Sequence, residues 1–110
     1  MDLSIVIVNW NTREMLRNCL QSIPVHNDDY RVEVIVVDNA STGDDAARIT
    51  RRHPWVDLIV LSRNEGFTGG NNLGLEAAGA EVFLLLNNDT VVHEGALQAS
   101  LKALRENDFP

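Results

Sequence analysis

The chain has 110 residues, of which 45% are hydrophobic, and a formal charge of −7, enough for one domain around one core. An acidic chain with nine Lys and Arg in all argues against a nucleic-acid backbone or an anionic bilayer as partner, since both call for clustered positive charge. It leaves anionic small molecules open, because a metal ion or a few backbone N–H groups can hold those.

The first element expected is a strand over Leu3 to Val8, an apolar run rich in β-branched residues. Asn11 or Thr12 then caps a helix, with Glu14 placed like a capping-box partner. Met15, Leu16, Cys19, Leu20 and Ile23 mark its apolar face, and Pro24 ends it. Val32 to Val37 predicts a second strand. Ser41 or Thr42 caps a short second helix with Asp44 and Asp45 in its first turn, where the helix dipole favours negative charge. A third strand follows over Leu58 to Leu61, a third helix over Asn71 to about Ala78, and a fourth strand over Val82 to Leu86. Leu97, Leu101 and Leu104 give a fourth helix.

Continuous apolar strands imply burial on both faces. The fold class is therefore α/β, Rossmann-like, with four mainly parallel strands and helices on both faces of the sheet. Residues 1–110 form a single domain, and the sheet edge left uncovered offers a surface for self-association. No apolar stretch reaches the roughly 20 residues of a membrane helix. No basic region followed by an apolar core and a small-residue cleavage site opens the sequence, so a secretory signal is not expected, and Cys19 is its one cysteine. An internal disulfide and a cysteine-cluster metal site are thereby excluded, and a reducing, cytoplasmic setting is expected. The stretch from Glu106 to Pro110 does not read as a natural ending, so a longer polypeptide is expected.

Parallel strands gather their C-terminal turns on one edge, where ligands bind in open α/β sheets. That edge collects Asn9, Trp10, Asn11 and Thr12, then Asp38, Asn39 and Ser41, then Ser62 to Asn64, then Asn87 to Thr90. Turn-forming preference accounts for any one of these residues, but less well for four strand ends together. The first turn has no glycine and the chain has no Walker motif, which demotes the dinucleotide and P-loop folds. The stretch from Asn64 to Gly74 is Gly-rich. Its glycines either let the backbone approach a ligand or simply make a flexible connection. Asp89, ending the segment Asn87-Asn88-Asp89, either holds a divalent cation against a diphosphate or, with Thr90, caps the next turn. Trp10 and Phe67 stack on a ligand or pack, with packing slightly ahead.

Four segments together resemble the family 2 glycosyltransferases, and within them the rhamnosyltransferase-like members of cell-surface polysaccharide synthesis. They are Ser4 to Asn11, Val36 to Thr42, Asn64 to Gly74 and Leu85 to Thr90, in matching order and spacing. The resemblance implies a GT-A fold, of which this chain is the N-terminal, nucleotide-sugar-binding half, with the acceptor half absent. It implies that Asp38 contacts the nucleotide base and that Asn9 and Asn11 line the nucleotide pocket. It implies that Asn64, Gly66 and Asn71 approach the nucleoside and sugar, with Asn87 and Asn88 beside the donor. Asp89 matches the last acid of the family's D-x-D-like metal motif, for Mg²⁺ or Mn²⁺. Asn87 stands where that motif has its first acid, and His93 is a candidate extra ligand more readily read as solvated.

The implied reaction is inverting transfer from a nucleotide-diphosphate sugar to a saccharide or lipid-linked acceptor. In the family the general base lies well downstream of the metal motif. Glu94, Glu106 and Asp108 stand in no matching motif, so the chain is expected to bind donor without transferring sugar efficiently. In the full-length enzyme a peripheral place at the inner face of the membrane is expected. The competing readings are a non-catalytic binding or scaffold domain and a nucleotidyltransferase, the latter disfavoured by the missing Gly-rich basic first loop.

Overall fold

The structure, a computed structural model, describes residues 1–43 and 45–106. The predicted first-turn role of Asp44 and Asp45 rests on residue 44 and on the Asp45 side chain, which, like residues 107–110, lie outside what it describes. Eight elements alternate: β1 (Leu3–Asn9), α1 (Arg13–Ser22), β2 (Val32–Asp38), α2 (Asp45–Arg51), β3 (Val56–Val60), α3 (Gly66–Ala77), β4 (Phe83–Asn87) and α4 (Ala96–Glu106). They form one four-stranded sheet in the order β3-β2-β1-β4, and every pairing is parallel. The α/β class and the parallel sheet follow the sequence expectation.

Strand alternation sorts the core into two layers. Leu3, Ile5 and Ile7 of β1, with Val34 and Val36 of β2, pack against Leu16, Cys19 and Leu20 of α1, Ala46 and Ile49 of α2, and Leu97 and Leu101 of α4. Val6, Val8 and Val37 point to the other face and meet α3. Helices thus cover both faces. The register pairs Asn9 of β1 with Asp38 of β2, so two polar residues end the two central strands side by side.

Several expectations change. Burial on both faces holds for β1 and β2 but not for the edge strands: Val60 of β3 is 63% exposed, and Phe83 and Leu85 of β4 are each 48% exposed. The reason is lateral: α3 lies over β1 and β2, leaving the same face of the edge strand β4 uncovered. Met15 is half exposed, because the buried face of α1 is narrower than the apolar pattern. The capping box does not form. Thr12 is the N-cap of α1 without a side-chain cap bond, and its hydroxyl donates instead to Asn9 Oδ1 at 2.8 Å. The side chains of Ser41 and Thr42 bond Asp38 and Asn11. β3 begins two residues earlier than predicted, where Val56 pairs with Val34 and packs on the core.

Candidate functional site at the strand ends

The C-terminal turns of the strands do converge, and side-chain hydrogen bonds tie them together. Asn9 is buried. Its Nδ2 donates to Asp38 Oδ1 at 3.0 Å, and its Oδ1 accepts from Thr12 at 2.8 Å and from Asn88 Nδ2 at 3.1 Å. Asn88 also donates to the Thr12 hydroxyl. One buried amide therefore joins the ends of β2, β1 and β4. Asp38 is itself buried and accepts from the Ser41 hydroxyl at 2.6 Å and the Ser41 N–H at 3.2 Å. Its carboxylate is oriented by three donors, which is how a buried acid is kept satisfied.

A second layer of bonds shapes the turns. Asn11 has a φ of 52° and Ala40 a φ of 60°, the left-handed region that Asn tolerates and Ala rarely enters. The two turns hold each other. The Asn11 N–H donates to Ser41 Oγ at 2.8 Å, and Asn11 Oδ1 accepts from the Thr42 N–H at 2.9 Å.

Asn39, an edge residue to which the sequence assigns no role, acts as a clasp. Its Oδ1 accepts the Glu65 N–H at 2.7 Å and its Nδ2 donates to the Gly66 carbonyl at 2.9 Å. Asn64 Oδ1 adds a bond from the Gly66 N–H at 2.7 Å. Two side-chain acceptors thus satisfy amides at the start of α3. This explains why the helix begins at Gly66 rather than at the predicted Asn71. The Asp38-Asn39-Ala40-Ser41-Thr42 run is the signal that could have located the clasp, since every polar side chain in it bonds another strand end or its own turn.

The Gly-rich stretch is consequently helix, and its glycines serve packing. A Cβ at Gly70 would lie 2.9 Å from Val8 Cγ1, and one at Gly74 would lie 2.3 Å from Val6 Cγ1. These positions, one helical turn apart, let α3 press onto β1. Gly66 has a φ of 76° and open space for 4 Å around the place a Cβ would take. It is the one glycine here that a backbone turn requires. Asn71 is buried on α3 and makes no side-chain hydrogen bond to the strand-end network.

Asn87 to Thr90 form a turn in which the Thr90 N–H donates to the Asn87 carbonyl at 3.0 Å. Asp89 lies well ahead of α4, which begins at Ala96, so it does not cap that helix. The side chains of Asn87 and Asp89 are exposed and hold no hydrogen bond or ion pair among the described residues. Beneath them Cys19 Sγ lies 3.8 Å from the Asn87 carbonyl. Burial, helped by the negative charge of Asp89, pushes its thiol up to about 11. The described residues contain no group of three His, Cys, Asp or Glu side chains able to hold a metal. One free carboxylate and one free amide oxygen on the same exposed turn suit a hard cation that takes its remaining ligands from phosphate and water. His93 is exposed. Trp10 and Phe67, 54% and 59% exposed, flank the edge rather than packing within the described chain.

The family model described as Glycosyl transferase family 2 matches residues 4–109. A low-salt glycan biosynthesis hexosyltransferase of Haloferax volcanii is 33% identical over 97 residues, which are 84% of this chain and 29% of that protein. Among solved structures, S. aureus TarS in complex with UDP-GlcNAc superposes with a TM-score of 0.84 at 21% identity, over 98% of this chain and 32% of that one. A mannosyltransferase of Pyrobaculum calidifontis, in complex with GDP-Man and Mn²⁺, superposes at 0.79 with 22% identity, over 93% of this chain and 32% of that one. The chain spans between 29% and 40% of the length of the curated relatives it matches.

Proposed function

This chain belongs to glycosyl transferase family 2, and we propose that it is the donor-binding half of a glycosyltransferase that uses a nucleotide-diphosphate sugar. The observation that carries the proposal is the bonded network of Asn9, Asp38 and Asn88 beside an exposed Asp89 that has no partner among the described residues. Buried polar groups ordered at one sheet edge, next to a free carboxylate, suit a ligand with a polar base and a charged diphosphate. In this reading Asp38, Asn9 and Asn11 form the nucleoside side of the site. Asn64, Gly66 and Asn71 lie towards the sugar, and Asn87, Asn88 and Asp89 lie at the diphosphate. The exposed rings of Trp10 and Phe67 are then available to stack on base or sugar.

Asp89, with the amide oxygen of Asn87, would hold Mg²⁺ or Mn²⁺. When bound, such an ion neutralises charge on the departing nucleoside diphosphate. The protein's own residues orient the donor. Asp38 is fixed by three donors and so presents a set geometry, while Asn88 ties the metal turn to the same frame. In this reading the general base for an inverting transfer to a saccharide or lipid-linked acceptor comes from outside the strand-end network. A rhamnosyltransferase-like role in cell-surface polysaccharide synthesis, at the cytoplasmic face of the membrane, fits this reading. Among the described residues no helix is long and apolar enough to cross a membrane. Half-exposed Phe83 and Leu85 on the edge strand offer a surface for self-association.

Calorimetry with UDP, GDP and dTDP, with and without Mg²⁺ or Mn²⁺, tests the proposal. Metal-dependent binding that disappears in Asp89→Ala is the expected result. Absence of binding by all three nucleotides under both conditions would favour a scaffold domain that keeps the fold without ligand.

A further inference from the structure

The net charge of −7 hides a local reversal of sign. Five of the nine Lys and Arg residues, Arg13, Arg17, Arg48, Arg51 and Arg52, fall on α1, α2 and the residue after α2. Arg13, Arg17 and Gln21 recur every four residues along α1, and Arg48 and Arg52 do so at α2, so each set forms one stripe. The helices pack against each other, and the two stripes face across a groove of about 290 Å³ lined by Arg13, Arg17, Gln21, Arg48, Arg52 and His53. The His53 ring is fixed there, its Nδ1 2.9 Å from the Ile49 carbonyl and its plane edge-on to Trp55.

Like charges at such spacing repel along each helix and again across the groove. Arg13 and Arg48 each hold a further interaction of their own. Arg17 and Arg52 have no ion pair among the described residues, and Arg17 is only partly exposed. Guanidinium groups converging from two rigid helices match the oxygens of a phosphate, which can accept paired N–H donors from more than one side. The groove runs down the outer flank of α1 and α2. The candidate donor site instead lies at the strand ends beyond the N-terminus of α1.

We propose that the α1–α2 groove is a second anion site, binding a phosphate group through Arg17 and Arg52 with the flanking arginines. The site takes the phosphate of a soluble ligand or of a lipid headgroup, and the chemistry of recognition is the same. The whole 110-residue chain is titrated with inorganic pyrophosphate in EDTA, and separately with vesicles of phosphatidylcholine with and without phosphatidylglycerol. Binding to pyrophosphate alone assigns a soluble ligand, and binding to the phosphatidylglycerol vesicles assigns a headgroup. Either is expected to weaken by about tenfold or more in R17Q/R52Q and to fall with added NaCl. D89N is expected to leave it unchanged. A thermal melt of R17Q/R52Q matching the parent establishes that the variant is folded, and R17K/R52K provides a second reading, retaining charge but losing the planar fork. Failure of both probes to bind, or binding unaffected by R17Q/R52Q, would overturn the proposal.

Discussion

Replacing Gly74 by Ala probes the contact that sets how close α3 lies to the sheet. The new methyl would sit 2.3 Å from Val6 Cγ1 and 3.3 Å from both Val6 Cγ2 and Val37 Cγ2. Carbon atoms prefer about 3.5–4.0 Å, so α3 or the strand must shift by roughly 1 Å. Val6 and Val37 are fully buried and have no open space to turn into. Overpacking of this kind costs about 1–3 kcal/mol, against a gain of about 1 kcal/mol from better helix propensity. With two valines in the way the clash wins, and we expect a net loss of up to about 2 kcal/mol. Urea denaturation measures it as a lower midpoint with an unchanged slope. Val6→Ala removes both γ-carbons nearest the new methyl, so V6A/G74A should lose about 1–2 kcal/mol less than the two single variants summed. Gly79→Ala, whose Cβ would meet only Glu33 Oε2 at 3.7 Å, serves as the control and should be nearly neutral. A Gly74→Ala chain more stable than the parent, or strictly additive losses in the double variant, would refute the packing account of the Gly-rich stretch.

Other outcomes follow from the strand-end geometry. Asn39→Ala leaves the Glu65 N–H without its side-chain acceptor, and should cost about 1–2 kcal/mol. Hydrogen exchange should locate the loss at the start of α3. Ala40→Gly relieves a left-handed φ that disfavours Ala by about 1–2 kcal/mol. Set against the added freedom of the unfolded chain, a thermal melt should show no loss of stability. Cys19 should resist a thiol reagent at pH 8 in the folded chain and react once urea unfolds it. Its pKa is raised in the folded state to about 11 from 9.0, so the native chain holds its proton longer than the unfolded one. That contribution is whole below pH 9, and it declines as pH rises through 9 to 11, which urea midpoints across this window would show. Asp89→Ala should abolish metal-dependent nucleotide affinity in calorimetry while changing stability by less than about 0.5 kcal/mol, because its side chain is exposed.

Much of the fold was legible in the residues themselves. β-branched apolar runs separated by helical patterns require buried parallel strands, and parallel strands must deliver their polar ends to one edge. Asn9, Asp38 and Asn88 could be placed together on that ground alone. Periodicity cannot register which neighbour covers a given face, and so Phe83 and Leu85 read as buried until the position of α3 left them half exposed. Nor can it distinguish a glycine needed for a ligand from one needed for a helix. At Gly70 and Gly74 only the opposing valines of β1 decide the matter. The clasp of Asn39 and the facing arginines of α1 and α2 join positions more than 25 residues apart. Such contacts exist only once the sheet order brings the segments together. Local pattern determined the elements and the edge where a ligand would sit. The tertiary structure decided which polar atoms are already occupied there, and Asp89 stands out because its carboxylate is not.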